Sequence, residues 1–333
     1  MNIKKIGLTA LAASLVSTSA FAGALSASGA ASITVEDYNG DNRSGGVAYS
    51  MADSVILSGS GELDNGITAS VSFELDSDNQ STSSSYDNES VTISSETLGT
   101  LVFAGHGGSS AVSAIDATAA GDVFDTFDTK VSGQATASTA ETASATGDAA
   151  MLTTAAGDNS MMYTLPSVID GTSISISFSP RGSNDQSSSA MAFTYTGVEG
   201  LSVSYGVGTN NSTAGTASDA DVTTMKASYA YGPITVAYSD HEFDSNTATR
   251  DQDVSSMSIA YTVSDEISVT YGTEDFSTGE ASTVDAEYTK ISVAYTSGGM
   301  TLTAVAAEGE NISYGTSVNE DVDYWGLTAA FAF

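Results

Sequence analysis

The feature that most constrains this chain is a period of two. Ser173-Ile174-Ser175-Ile176-Ser177-Phe178-Ser179 alternates polar and apolar residues without exception. Leu201, Val203, Tyr205 and Val207 repeat the pattern, as do Ile234, Val236 and Tyr238, then Ile267, Val269 and Tyr271, then Ile291, Val293 and Tyr295. The positions between them are mostly Ser, Thr, Ala or Gly. Alternation over so many segments specifies half-buried β-strands and excludes helices. Only 3 prolines accompany 32 glycines, which suits long, fully paired strands, because proline cannot donate to a ladder.

Two kinds of break separate the strands. Tight turns are expected at Asp64-Asn65-Gly66, Leu98-Gly99, Asp170-Gly171, Val198-Glu199-Gly200, Gly232-Pro233, Ser264-Asp265-Glu266 and Ser297-Gly298-Gly299. Longer acidic breaks alternate with them at 39–53, 77–89, 180–188, 209–221, 242–253, 276–284 and 309–321. Glu199, Gly232, Asp265 and Gly298 recur every 33 residues, the mark of a repeated supersecondary unit, here a hairpin. The punctuation predicts an all-β fold, an antiparallel transmembrane barrel of about 16 strands with short turns at one end and long loops at the other. The first five strands are expected at 25–38, 55–63, 67–76, 90–96 and 100–105.

The N-terminus reads as an export signal. Lys4 and Lys5 precede an apolar run from Ile6 to Val16, and Ala20-Phe21-Ala22 offers a small-x-small cleavage site. Residues 1–22 are therefore expected to be removed, leaving 23–333 as the barrel. Removal takes away two of the 8 basic residues and none of the 41 acidic ones, so the net charge moves from −33 to −35. Such an excess excludes nucleic acid as a partner, since nothing would neutralise phosphates. Cysteine is absent, so disulfides and thiolate chemistry are excluded as well. Charged residues make up only 15% of the chain, which separates it from a disordered polyanion.

Aromatic positions carry the membrane reading further. Tyr163, Tyr195, Tyr229, Tyr261 and Tyr295 sit near the ends of strands that enter tight turns. Phe73, Phe103, Phe178, Tyr205, Tyr238 and Tyr271 lie about six residues into strands that leave them. In antiparallel strands these sets form two rings at different heights, as girdles at the two lipid–water interfaces do. The last stretch places Trp325, Leu327, Phe331 and Phe333 on one face.

With an export signal, tandem hairpins and a final amphipathic strand ending in Phe333, the chain resembles the Gram-negative outer-membrane porins, and among them the alphaproteobacterial, Rhodobacter-type general porins. The resemblance implies a homotrimeric, passive diffusion channel without enzymatic activity or cofactor. It implies small hydrophilic solutes as passengers, and outer-membrane lipid and lipopolysaccharide as surroundings. In that family Trp325, Phe331 and Phe333 would belong to the assembly signal, and the last strand would close on the first.

One segment breaks the regularity. Residues 107–158 show almost no strand pattern, and structureless loops of that length are uncommon in compact domains. The insert carries Asp116, Asp122, Asp125, Asp128, Glu141, Asp148 and Asp158 against a single Lys130. In the family, the loop after the fifth strand folds into the lumen and narrows it. The resemblance therefore assigns the constriction to Asp116, Asp122, Asp125, Asp128 and Lys130, with Phe124 and Phe127 anchoring the loop on the wall. The family sets loop acids against arginines on the opposite wall. Here Arg43, Arg181 and Arg250 fall in or beside long loops, and only Lys226 and Lys290 lie within strands. An acidic eyelet facing few cations is expected to prefer cations.

Other readings are weaker. Asp37, Asn39 and Asp41 have oxygen ligands at alternate positions, as in a structural Ca²⁺ loop, as do Asp76 and Asp78, but neither run has a closing glutamate. His106 and His241 are the only histidines; His106 opens the insert. No nucleophile elbow, H-E-x-x-H helix or phosphate loop is present. The composition also suits a non-conducting acidic adhesin or surface-layer β-protein, in which apolar side chains would pack inward.

Overall fold

The computed structural model describes residues 25–40, 46–76, 88–115, 117–127, 151–154, 159–180, 186–247, 251–279, 283–312, 314 and 321–333. The strands are β1 (Ser26–Gly40), β2 (Ala48–Glu62), β3 (Thr68–Asp76), β4 (Asn88–Ser95), β5 (Gly99–His106), β6 (Ser160–Thr164), β7 (Thr172–Ser179) and β8 (Gln186–Tyr195). They continue with β9 (Leu201–Ser212), β10 (Ala220–Tyr231), β11 (Ile234–Ser245), β12 (Gln252–Thr262), β13 (Ile267–Thr278), β14 (Ala286–Ser297), β15 (Met300–Glu310) and β16 (Val322–Ala332). Each pairs antiparallel with its neighbours in sequence, and β1 pairs with β16, so the sheet closes into a barrel.

Closure removes both sheet edges. The seam is continuous: Ala30 to Gly40 face Ala332 to Val322. Beyond it, Gly29 N–H donates to Phe333 O (2.8 Å) and Phe333 N–H to Gly29 O (3.0 Å). The tight turns need left-handed residues, which glycine supplies without strain: Gly66, Gly99, Gly171, Gly200, Gly232 and Gly298 all have φ between 57° and 81°.

The strands run further than the sequence suggests. β2 begins at Ala48 and not near residue 55, and β9, β11 and β13 end at Ser212, Ser245 and Thr278, inside stretches expected to be loops. Those stretches were rich in Asp, Glu, Ser and Thr and had lost the apolar-out pattern. The pattern is not lost, however; it is inverted. In the half of β13 near the tight turn, Ile267, Val269 and Tyr271 point outward. Further along, Asp275 points out while Glu274 and Phe276 point in and are fully buried. β10, β11, β12 and β14 invert in the same way: Asp221, Asp240, Asp253 and Glu287 face out, and Val222, His241, Val254 and Tyr288 face in. The apolar exterior marks the height of the lipid. Above it, the barrel turns its apolar residues inward on something else.

All eleven girdle aromatics alternate onto the outer face, among them Tyr205, Tyr229, Tyr238, Tyr261 and Tyr271, nearly half exposed. Trp325, Leu327, Phe331 and Phe333 do so on β16. Apolar side chains thus point away from the centre in the lower band, which is incompatible with a soluble surface-layer protein.

Candidate functional site

What fills the upper interior is the insert. From His106 the chain turns into the lumen and follows the inner wall, with two short 3-10 turns at Ser113–Ile115 and Phe124–Thr126. Its path can be traced through its partners. Ala111 N–H donates to Ser177 Oγ on β7 (2.8 Å). Val112 and Ile115 lie against Gly206 on β9. Ala119 N–H donates to Ser239 Oγ on β11 (2.8 Å). On β12, Ser256 Oγ accepts from Ala120 N–H and Ser258 Oγ–H donates to Ala119 O, both at 2.8 Å. Phe124 N–H donates to Glu274 Oε2 on β13 (3.0 Å). The segment reaches the seam, where Tyr38 Oη–H donates to Thr126 O (3.1 Å).

Phe124 and Phe127 are buried with Val123 in a cluster that includes Val254, Phe276, Ala286, Tyr288, Ile312 and Val322. Ring centroids are 5.0 Å apart for Phe124–Phe276, 5.6 Å for Phe127–Tyr288 and 5.5 Å for Phe276–Tyr288. Offset aromatic pairs of this kind contribute about 0.5–1.5 kcal/mol each beyond their burial. A second cluster joins Ala111, Val112 and Leu152 to Ala190, Ala192, Val222 and Phe243.

Residues 151–154 return along the same wall. Leu152 N–H donates to Gln252 Oε1 (2.7 Å), and Asn210 Nδ2–H donates to Thr153 O (3.0 Å). His241 is 1% exposed, with Nε2 2.6 Å from Leu152 O and Nδ1 2.6 Å from Thr224 Oγ1. A carbonyl only accepts, so Nε2 carries a proton and donates. His241, assigned nothing by the sequence, is a buckle for the returning limb. His106 lies at the end of β5, where the insert begins.

Asp122 and Asp125 are exposed on the lumen side of the loop. Gly121 (φ 78°) and Asp122 (φ 47°) form a left-handed corner, closed by Thr118 Oγ1–H donating to Asp122 Oδ1 (2.6 Å) and Asp122 N–H donating to Thr118 Oγ1 (2.9 Å). Asp116, Asp128 and Lys130 lie outside the described residues. So do Asp41 and Asp78 of the calcium candidates; Asp37 Oδ1 accepts Gly46 N–H (2.8 Å), and alternation turns Asp37 and Asn39 outward. Among the described residues no group of three or more acidic or histidine side chains is placed to hold a metal.

Lys226 and Lys290, the two basic residues expected within strands, face inward and reach the loop itself: Lys226 Nζ donates to Thr118 O (3.2 Å) and Lys290 Nζ to Gly121 O (2.7 Å). They are the only basic side chains among the described residues. Glu274 is fully buried, and its Oε1 has no hydrogen-bond partner.

The inner wall is thus covered on one side and bare on the other. On β10 to β14 the upper inward positions are buried. On β1 to β4 no residue is buried. The register places Ser50, Ser54, Ser70, Ser72 and Thr92 on that bare inner face, with Glu36, Glu74 and Asp76. Glu36 accepts from Tyr324 Oη–H (3.3 Å) and Glu74 from Asn88 Nδ2–H (2.6 Å).

The profile of the Gram-negative porins matches residues 7–311 of the chain. No curated protein sequence matches it. Solved structures share the fold at low identity. The anion-selective porin from Comamonas acidovorans is similar with a TM-score of 0.70 and 15% identity, over 93% of this chain and 99% of that one. A trimer form of OmpT from Vibrio cholerae has a TM-score of 0.60 and 16% identity, over 93% and 100%. A mutant of the Rh. blastica porin has a TM-score of 0.59 and 15% identity, over 93% and 100%. The family profile, the closed barrel and the loop folded into its lumen agree: the chain belongs to the Gram-negative porins, passive channels of the outer membrane.

Proposed function

We propose that this porin passes small hydrophilic solutes with a preference for cations, and that the constriction is formed by the lumen face of the inner loop. The observation that carries the preference is the charge of the two surfaces bounding the water path. Asp122 and Asp125 are exposed on the loop, Glu36, Glu74 and Asp76 lie on the bare wall, and both described lysines lie on the covered wall. Carboxylates facing a narrow aqueous section lower the energy of a cation there and raise that of an anion. At about 0.15 M salt the Debye length is about 8 Å, so acids on the outer rim contribute little and those at the narrow section dominate. A shared fold at 15% identity with an anion-selective porin carries no selectivity, because selectivity resides in side chains.

The reading extends to assembly. Residues 1–22 act as a cleaved export signal, and Trp325, Phe331 and Phe333 form the recognition face of β16 during insertion. The working unit is a homotrimer, as in the trimer form of OmpT. The test of selectivity is the reversal potential of single channels in a KCl gradient. A potassium preference is expected, reduced in an Asp122→Asn, Asp125→Asn double variant; a chloride preference in the unaltered protein overturns the reading.

A further inference from the structure

The inward-facing lysines occupy the kind of position from which a wall cation would act on a passing ion, yet their ammonium groups are aimed elsewhere. We propose that Lys226 and Lys290 are positioning residues, which staple the backbone of residues 118–121 to the barrel and set the aperture without filtering ions themselves.

The geometry is that of a cradle built by five consecutive strands, each contributing to one short stretch of backbone. β10 gives Lys226 to Thr118 O, and β14 gives Lys290 to Gly121 O. Between these ends, Ser239 accepts Ala119 N–H, Ser258 donates to Ala119 O, and Ser256 accepts Ala120 N–H. On β13, Gly272 lets Ala120 sit against the strand, where a β-carbon would come within 2.6 Å of Ala120 Cβ. Every one of these bonds is to main-chain atoms of the loop, so the wall grips the segment whatever side chains it presents to the lumen. Gly121 and Asp122 are exposed at their left-handed corner, and the carbonyl of Gly121 is reached by a long side chain. Serine hydroxyls are too short there, and the long lysine stem supplies the distance. A charged donor on a carbonyl is stronger than a neutral one. An ammonium held in this way, with Asp122 and Glu274 as electrostatic neighbours, has its field largely spent within the protein.

The experiment uses the full chain in planar bilayers, with folding checked by the heat-dependent mobility shift of the barrel on gels. Lys290→Met and Lys226→Met are each compared with Lys290→Arg and with Asp122→Asn. Removing a staple is expected to raise the frequency of brief current interruptions about tenfold, the scale set by losing one charge-assisted hydrogen bond. Lys290→Arg should restore quiet openings. The reversal potential in a KCl gradient should move less in the methionine variants than in Asp122→Asn. Quiet methionine channels overturn the proposal, whether or not their reversal potential shifts. Lys226→Met removes the longer bond, so it remains informative if Lys290→Met fails to fold. A chloride-selective wild type would defeat the proposed cation preference and leave this test intact.

Discussion

Ala120 of the inner loop rests on the bare backbone of Gly272 in β13, so close that a β-carbon on the glycine would meet Ala120 Cβ at 2.6 Å. Gly206 under Ile115 and Gly208 under Thr154 repeat the arrangement on β9. The wall is thinned where the loop lies on it. Gly272→Val is therefore expected to push residues 118–121 toward the water path, at a cost of about 1–3 kcal/mol from overpacking. Single-channel conductance should fall, while Gly59→Val, whose β-carbon would meet only Leu25 at 3.8 Å, should conduct normally.

Phe127 is completely buried against Tyr288 and beside Gly309. Truncation to alanine in such a setting costs about 3–5 kcal/mol. That loss falls on the seating of the loop, because the strands keep their own ladders. Phe127→Ala should make the loop cleavable by added protease while leaving the temperature at which the barrel itself unfolds nearly unchanged. A barrel that melts much earlier, with the loop still protected, would contradict this division.

His241→Ala would strand both the Leu152 carbonyl and the Thr224 hydroxyl in a buried place. Each unsatisfied group costs about 1–3 kcal/mol. Gln252 would still hold Leu152 N–H, so the returning limb should loosen without leaving the wall. Hydrogen exchange at residues 151–154 should accelerate, with exchange in β3 and β4 unaffected.

Glu274 gives the opposite sign for a conservative change. One oxygen takes Phe124 N–H and the other has no hydrogen-bond partner among the described residues, and burying a charged carboxylate is costly unless it is fully paired. Glu274→Gln keeps the acceptor and removes the charge, so thermal stability should be unchanged or higher. Glu274→Ala leaves Phe124 N–H unpaired and should lower stability by about 1–3 kcal/mol. The two melting temperatures check the ordering.

The barrel was legible in the sequence because its lower band repeats one rule, apolar out and Ser or Thr in, with glycine at six of the seven tight turns. The loop's position after the fifth strand was legible too, and Phe124 and Phe127, which are buried against the wall, stand out as two aromatics in an Ala/Ser/Thr-rich stretch. What receives them was not. Phe276, Tyr288 and Val254 sit where acids alternate with apolar residues in inverted phase, in or beside stretches that read as loop because the outward positions had turned polar. The available signal was the alternation itself, Asp253-Val254 and Asp275-Phe276, continuing past the aromatic girdle. His241, Ser239 and Ser256 could not be found from sequence, since each holds the loop through backbone atoms more than eighty residues away.

The pairing of β1 with β16 sets a condition on how the molecule comes into being. Thr34 and Thr328 share a hydrogen bond at 2.9 Å across 294 residues of chain. β1 has one flank with no partner until the last strand joins it. An open edge of that kind invites pairing with other chains, and distant contacts are slow to form. The cell must therefore keep the unfinished sheet solitary throughout synthesis and export. A single strand added at the end turns a sticky ribbon into an object with no side left to stick.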